Sequence, residues 1–220
     1  SRGILLNAPY VAKNTILRAD VVWASANTIT IKAGTMILGT NPSNSNDRTH
    51  IKVDFDITVD LSTTGVNGLD TGSEASDTWY NLHIVNGSSG TGAVLSTNAE
   101  TPTAPTGYDS YVANLNFSVY NDASSDLVKF LVANRLVGGW HVLYEGRHEV
   151  GGSSSTSYTL RDLAAFVPPA AIAADVNVFN PAPSSTNSIV VLSSDGVTDY
   201  TLVAPAAFNS FNGYAHFSMP

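Results

Sequence analysis

Asp54, Asp56 and Asp60 form the densest row of oxygen ligands in the chain. Side chains two apart on a strand share a face, so this row holds the candidate Ca²⁺ ligands. No Gly-interrupted Asp/Asn loop of the EF-hand kind accompanies it. The competing reading is a solvated strand face that resists edge pairing. The expectation is no metal and no cofactor.

Glycoside hydrolysis needs two carboxyl groups facing each other across a groove. Glu74, Asp77, Glu145 and Glu149 qualify by type, but no spacing singles out a pair. Ser, His and Asp all occur, without GxSxG. His50, His83, His141, His148 and His216 are scattered and include no HExxH. His141 and Glu145 would share a strand face, as a surface hydrogen bond or a metal remnant. No Walker A loop or GxGxxG is present. The chain therefore reads as a non-enzyme.

Aromatic and amide side chains are the better lead. Trp79, Asn81 and His83 alternate with Tyr80, Leu82 and Ile84, so they share the face opposite an apolar row. An indole ring meets the C–H face of a pyranose, while amide and imidazole bond its hydroxyls. With Asn86 and Ser88 in the loop that follows, these five are the candidate receptor or glycan ligands. The competing reading packs Trp79 under a loop or at a subunit interface.

Strands must position these residues. Period-two alternation runs through Ile51–Leu61, with Val53, Phe55, Ile57 and Val59 on one face. It recurs in Trp79–Val85, and in Tyr111–Tyr120 with Tyr111, Ala113, Leu115, Phe117 and Val119 inward. These read as half-buried antiparallel strands. Ala19–Trp23 and Thr28–Lys32 form a hairpin that turns into Met36–Leu38. Ser188–Ser194 and Val197–Val203 flank Asp195-Gly196, the strongest short-range hairpin signal. Leu127–Leu136 reads as strand, and residues 160–167 as one short helical turn. Asn41–Thr49, Asn86–Gly92 and Gly151–Ser157 read as loops, the first two joining Asn209–Gly213 as sites of recognition. Phe208, Phe211, Tyr214 and Phe217 make the C-terminal stretch a last core strand or a seal on a neighbouring subunit.

The chain of 220 residues suits one all-β domain. The expected fold is a single antiparallel β-sandwich, jelly-roll-like, over 1–220. It has an N-terminal hairpin region (about 1–45) and a possible C-terminal lobe (about 158–220). Only 13% of residues are charged, against roughly 25% in ordinary soluble domains, so Ser, Thr, Asn and Gly build the surface. Such groups lose less hydration energy than charges when covered, which suits glycan contacts and subunit interfaces. A net charge of −8 with no basic cluster disfavours nucleic acid. No apolar run approaches the roughly 20 residues that span a bilayer, so no membrane insertion is expected. There are no cysteines, so stability rests on packing or oligomerisation.

Two segments carry a family likeness. GLDTGSEASDTWYNLHIV (68–85) and LSTNAETPTAPTGYDSYVANLNFSV (95–119) resemble a β-sandwich segment found in many bacteriophage tail and fibre proteins. DLAAFVPP (162–169) is similar to a stretch that often precedes their closing strands. The resemblance implies a virion structural protein of a tail tip, fibre or spike, made in the host cytoplasm. Its implied partners are copies of itself as a homotrimer, other virion proteins and a host surface glycan. A motif shared across different receptors is architectural, so the resemblance assigns the Asp70-Thr71-Gly72 turn and Pro102, Pro105, Gly107 and Tyr108 to structure. The alternatives are a capsid decoration or head-spike protein, a small capsule-degrading enzyme, and a carbohydrate-binding module.

Overall fold

The computed structural model describes residues 16–18, 20–136, 139–144, 167–168, 173–180, 188–192, 200–204 and 211–218. The chain divides into two compact units, Ser1–Pro168 and Pro169–Pro220. The described residues contain strands and turns but no helix.

Among the described residues, the first unit holds twelve strands: β1 (Ile16–Arg18), β2 (Val21–Trp23), β3 (Thr28–Ile31), β4 (Met36–Asn41), β5 (Asn44–Lys52), β6 (Ile57–Asp60), β7 (Gly68–Leu69), β8 (Thr78–Gly87), β9 (Gly90–Ser96), β10 (Tyr111–Asn121), β11 (Phe130–Leu136) and β12 (Gly139–Tyr144). Seven form one sheet in the order β1-β4-β10-β8-β9-β7, with β5 on the other edge of β4. Every pairing in it is antiparallel except β7 with β9. β2, β3 and β6 form a second antiparallel sheet, and β11 pairs β12.

The inward rows of these sheets close on one core. Ile29, Ile31, Ile57 and Val59 come from the small sheet. Tyr80, Leu82, Ile84, Ala93, Leu95, Ala113 and Val119 come from the large one, and Phe130 from β11. Period-two apolar side chains on both layers remove this area from water, which makes the unit an all-β sandwich. Phe117 and Phe130 meet edge-on across the core at 5.1 Å.

Several local expectations need correction. Ile51–Leu61 is not one strand, because β5 belongs to the large sheet and β6 to the small one. The chain turns at Val53–Asp56 to change layers. Val53 bonds the backbone of Gly34 and Thr35 there, and Phe55 is left 62% exposed rather than inward. Asn41–Thr49 is mostly hairpin rather than loop, since Asn41 pairs Asn44 and Gly39 pairs Thr49. Asn86–Gly92 shrinks to a turn at Ser88-Ser89, because Gly87 pairs Gly90. The N-terminal hairpin of β2 and β3 and the strand at Phe130–Leu136 match expectation.

In the second unit, β13 (Ala173–Asn180) pairs β16 (Phe211–Ser218), and β14 (Ser188–Leu192) pairs β15 (Tyr200–Ala204), both antiparallel. The latter pair is the hairpin that Asp195-Gly196 predicts. Its turn, the Gly151–Ser157 loop and the 160–166 part of the expected helical turn lie outside the described residues.

Candidate functional site

β8 carries the candidate row, and its neighbours decide the row's environment. Tyr80, Leu82 and Ile84 face the core as alternation requires. The opposite face, expected to be solvated, is covered as well. His83 is fully buried, Asn81 is 7% exposed, and Val85 and Val94 are fully buried. The cover is the chain between β9 and β10, residues 97–110, which crosses this face as a strap.

The strap is tied along its whole length. The Asn98 carbonyl lies 3.0 Å from His83 Nε2. The Ala99 carbonyl accepts from Asn114 Nδ2, on the strand beside His83. Further on, the Gly107 carbonyl accepts the Ser89 amide at 2.9 Å. A Cβ added to Gly87 would overlap the Gly107 carbonyl, so the two backbones touch and Gly87 must be glycine. The Tyr108 ring lies in ordinary contact range over Gly92, whose missing side chain makes room for Val66. Pro102 and Pro105 are half-buried; their fixed φ limits the freedom the strap loses on folding.

The first signature segment holds the second. Asp70, in the turn after β7, accepts the Thr71 amide at 2.8 Å and the Thr103 amide at 2.9 Å. The loop that follows is fastened to strand ends. Tyr80 Oη accepts the Ala75 amide at 2.8 Å, and Tyr120 Oη donates to Asp77 at 3.1 Å. Asn121 Nδ2 donates to Glu74 Oε1 at 3.1 Å and to the Ala75 carbonyl at 2.7 Å. Glu74 and Asp77, candidates by type for acid chemistry, thus hold loop to sheet. Glu145 and Glu149 lie outside the described residues.

The five candidate ligands are not one surface. The Trp79 ring lies 4.9 Å from its cross-strand neighbour Tyr120 and 5.3 Å edge-on from Tyr144. Asn81 donates to the Ser96 carbonyl and accepts from Ser118 Oγ at 3.0 Å. Asn86 donates to Gly90 and Thr91 within the β8–β9 hairpin. Ser88 is exposed at its tip. Asn81 and His83 are buried and bonded inside the fold, while Trp79 is half-buried against two tyrosine rings, so the three do not stand together on one open platform.

His83 is the most constrained of them. Its Nε2 faces a carbonyl and must carry the proton, which makes Nδ1 a bare acceptor. Nδ1 is buried and has no hydrogen-bond partner. Burial holds the ring's pKa below its ordinary 6.5, while the Asn98 bond, Asp70 and Glu100 pull the other way.

The aspartate row is dispersed. Asp54 pairs with Lys52 at 2.6 Å. Asp56 bonds Lys32 Nζ at 2.7 Å and the Ala33 amide at 2.8 Å, and these bonds hold its carboxyl below the usual range. Asp60 accepts from the amide and hydroxyl of Ser62. The layer change at Val53–Asp56 takes Asp54 and Asp56 out of any strand, so the shared face does not exist. No group of three acidic or His ligands suits a metal among the described residues.

Alternation did not single out the exposed apolar side chains. Val22 (39%) and Leu131 (62%) line an open groove of about 480 Å³ between β2 and β11, with Asp20, Trp23, Lys32 and Val132. Val22 points outward, opposite buried Val21. The approach of β11 to β2 is a tertiary contact that alternation does not express. No protein-family model, curated protein or solved structure matches this chain.

Proposed function

We propose that this chain is a bacteriophage virion structural protein, of a tail tip, fibre or spike, that assembles as a homotrimer and contacts a host surface glycan. One observation carries the reading. The two segments that resemble phage tail and fibre proteins are the two halves of one interlocked unit, joined at Asp70–Thr103 and His83–Asn98. A segment that builds a scaffold persists while receptor-facing loops change. This supports the structural assignment of the Asp70 turn and of Pro102, Pro105, Gly107 and Tyr108. It also favours a role without chemistry.

Recognition then falls to exposed polar tips. These are Ser88-Ser89 of the β8–β9 hairpin and the outer end of the β4–β5 hairpin, where Ser43–Asn46 are exposed. Phe55, Val22 and Leu131 offer apolar area for contacts between copies. Weak sites repeated on a trimer gain avidity without strong single contacts. The test is mass in solution by light scattering. Three times the 23.1 kDa of one chain supports the reading, and a strict monomer at all concentrations counts against it.

A further inference from the structure

We propose that protonation of His83 in mild acid releases the 97–110 strap from the sheet, making the strap a pH-sensitive cover over the Trp79–Val85 face. The inference does not rest on the virion reading.

The geometry leaves the ring one comfortable state. Nε2–H is taken by the Asn98 carbonyl of the strap, and Nδ1 sits buried with no partner. A proton on Nδ1 would place an N–H where no acceptor waits and a charge where no water reaches. The neighbours on β9 and β10 give no relief. Val94 is apolar, and Asn114 already donates to Ala99 and accepts from the Asn116 amide. The charged groups that act on the ring are Asp70, from the turn after β7, and Glu100, from the strap itself. Neither bonds Nδ1, and Asp70 is already committed to the Thr71 and Thr103 amides.

Relief therefore requires movement, and the strap, tied at separate points rather than by a ladder, is the part that can lift. It is held by separate hydrogen bonds from side chains and turns, whereas β8 pairs β9 in register from Asn81 to Val85 and pairs β10 on both sides of a bulge between Asn114 and Ser118. Once the strap lifts, the imidazolium gains water and keeps Asp70, freed from Thr103, as a neighbour, while Glu100 leaves with the strap. The sign follows from the lowered pKa of the closed state. Closure is fully stable above the ordinary imidazole pKa and is lost as pH falls through the depressed one.

The experiment is amide hydrogen exchange with NMR titration of the histidine rings, on the full chain, from neutral to mildly acid pH. The expected result is loss of protection across 97–110 while β8 and β10 keep theirs. That loss tracks the His83 titration, with a midpoint below 6.5. A strap that stays protected while His83 titrates would overturn the proposal, as would a ring that titrates at or above 6.5. His83→Gln, whose amide N–H still serves the Asn98 carbonyl, is expected to keep the cover shut in acid. Opening of that variant at the parent's pH would assign the effect to the carboxylates and overturn the proposal. If His83→Gln does not fold, the parent's ring titration and strap protection decide alone.

Discussion

The Asp70 carboxylate accepts the backbone amide of Thr103 at 2.9 Å, across 33 residues of chain. One oxygen closes its own turn through Thr71, and the other anchors the strap that covers the next strands. Asp70→Ala removes both bonds. The bonds are exposed, so the expected loss is modest, about 1 kcal/mol by chemical denaturation. Exchange of the Thr103 amide should rise well beyond the global effect. An unchanged Thr103 amide would mean that the strap is held elsewhere.

Gly87→Ala tests the backbone contact beneath the strap. Its Cβ would overlap the Gly107 carbonyl, so one of two backbones must shift. The expected cost is about 1–3 kcal/mol, read as a lowered midpoint of thermal or denaturant unfolding. Gly72→Ala is the control, since its Cβ enters open space and only its positive φ of 75° resists. That change should cost about 1 kcal/mol.

Trp79→Ala separates architecture from adhesion. The ring packs on Tyr120 and Tyr144, so truncation should cost about 3 kcal/mol and lower folding yield. Adhesion per folded molecule should change little. Normal yield with lost adhesion, measured on host cells, would reverse the roles assigned here.

Alkaline pH gives a signed prediction. Burial, the largest cause in each case, raises the pKa of Tyr80, Tyr111, Tyr120 and Tyr144 above the ordinary 10. Tyr144 shifts furthest, and its hydroxyl donates to the Ser118 carbonyl at 2.8 Å. A raised folded pKa favours the neutral phenol. Stability is therefore complete below the unfolded value and falls as pH rises through the folded ones. Ultraviolet titration of phenolate should show a late, cooperative phase that coincides with unfolding. Smooth titration of all nine tyrosines near the ordinary value would contradict the packing.

Much of this architecture was written in two-residue periodicity. Tyr80, Leu82 and Ile84 were legible as a core row, and so were Ala113 and Val119. What alternation cannot express is a second cover. The polar face of β8 looked solvated because Asn81 and His83 are polar, yet each is buried against bonds from chain 15 or more residues away. Those partners are backbone carbonyls of Ser96 and Asn98, which carry no mark in a sequence. The same blindness misplaced Asp54 and Asp56. Alternation continues through Val53, Phe55 and Ile57 although the chain changes sheets there. The tie from the Asp70 turn to Thr103 was likewise invisible, because its partner is a backbone amide.

The central claim is that this sandwich belongs to a phage particle. Quantitative mass spectrometry of purified, intact particles from the host that expresses the chain addresses it directly. The account predicts the chain in the particle at a copy number that is a multiple of three. Particles complete and infectious without any copy of it would contradict the account.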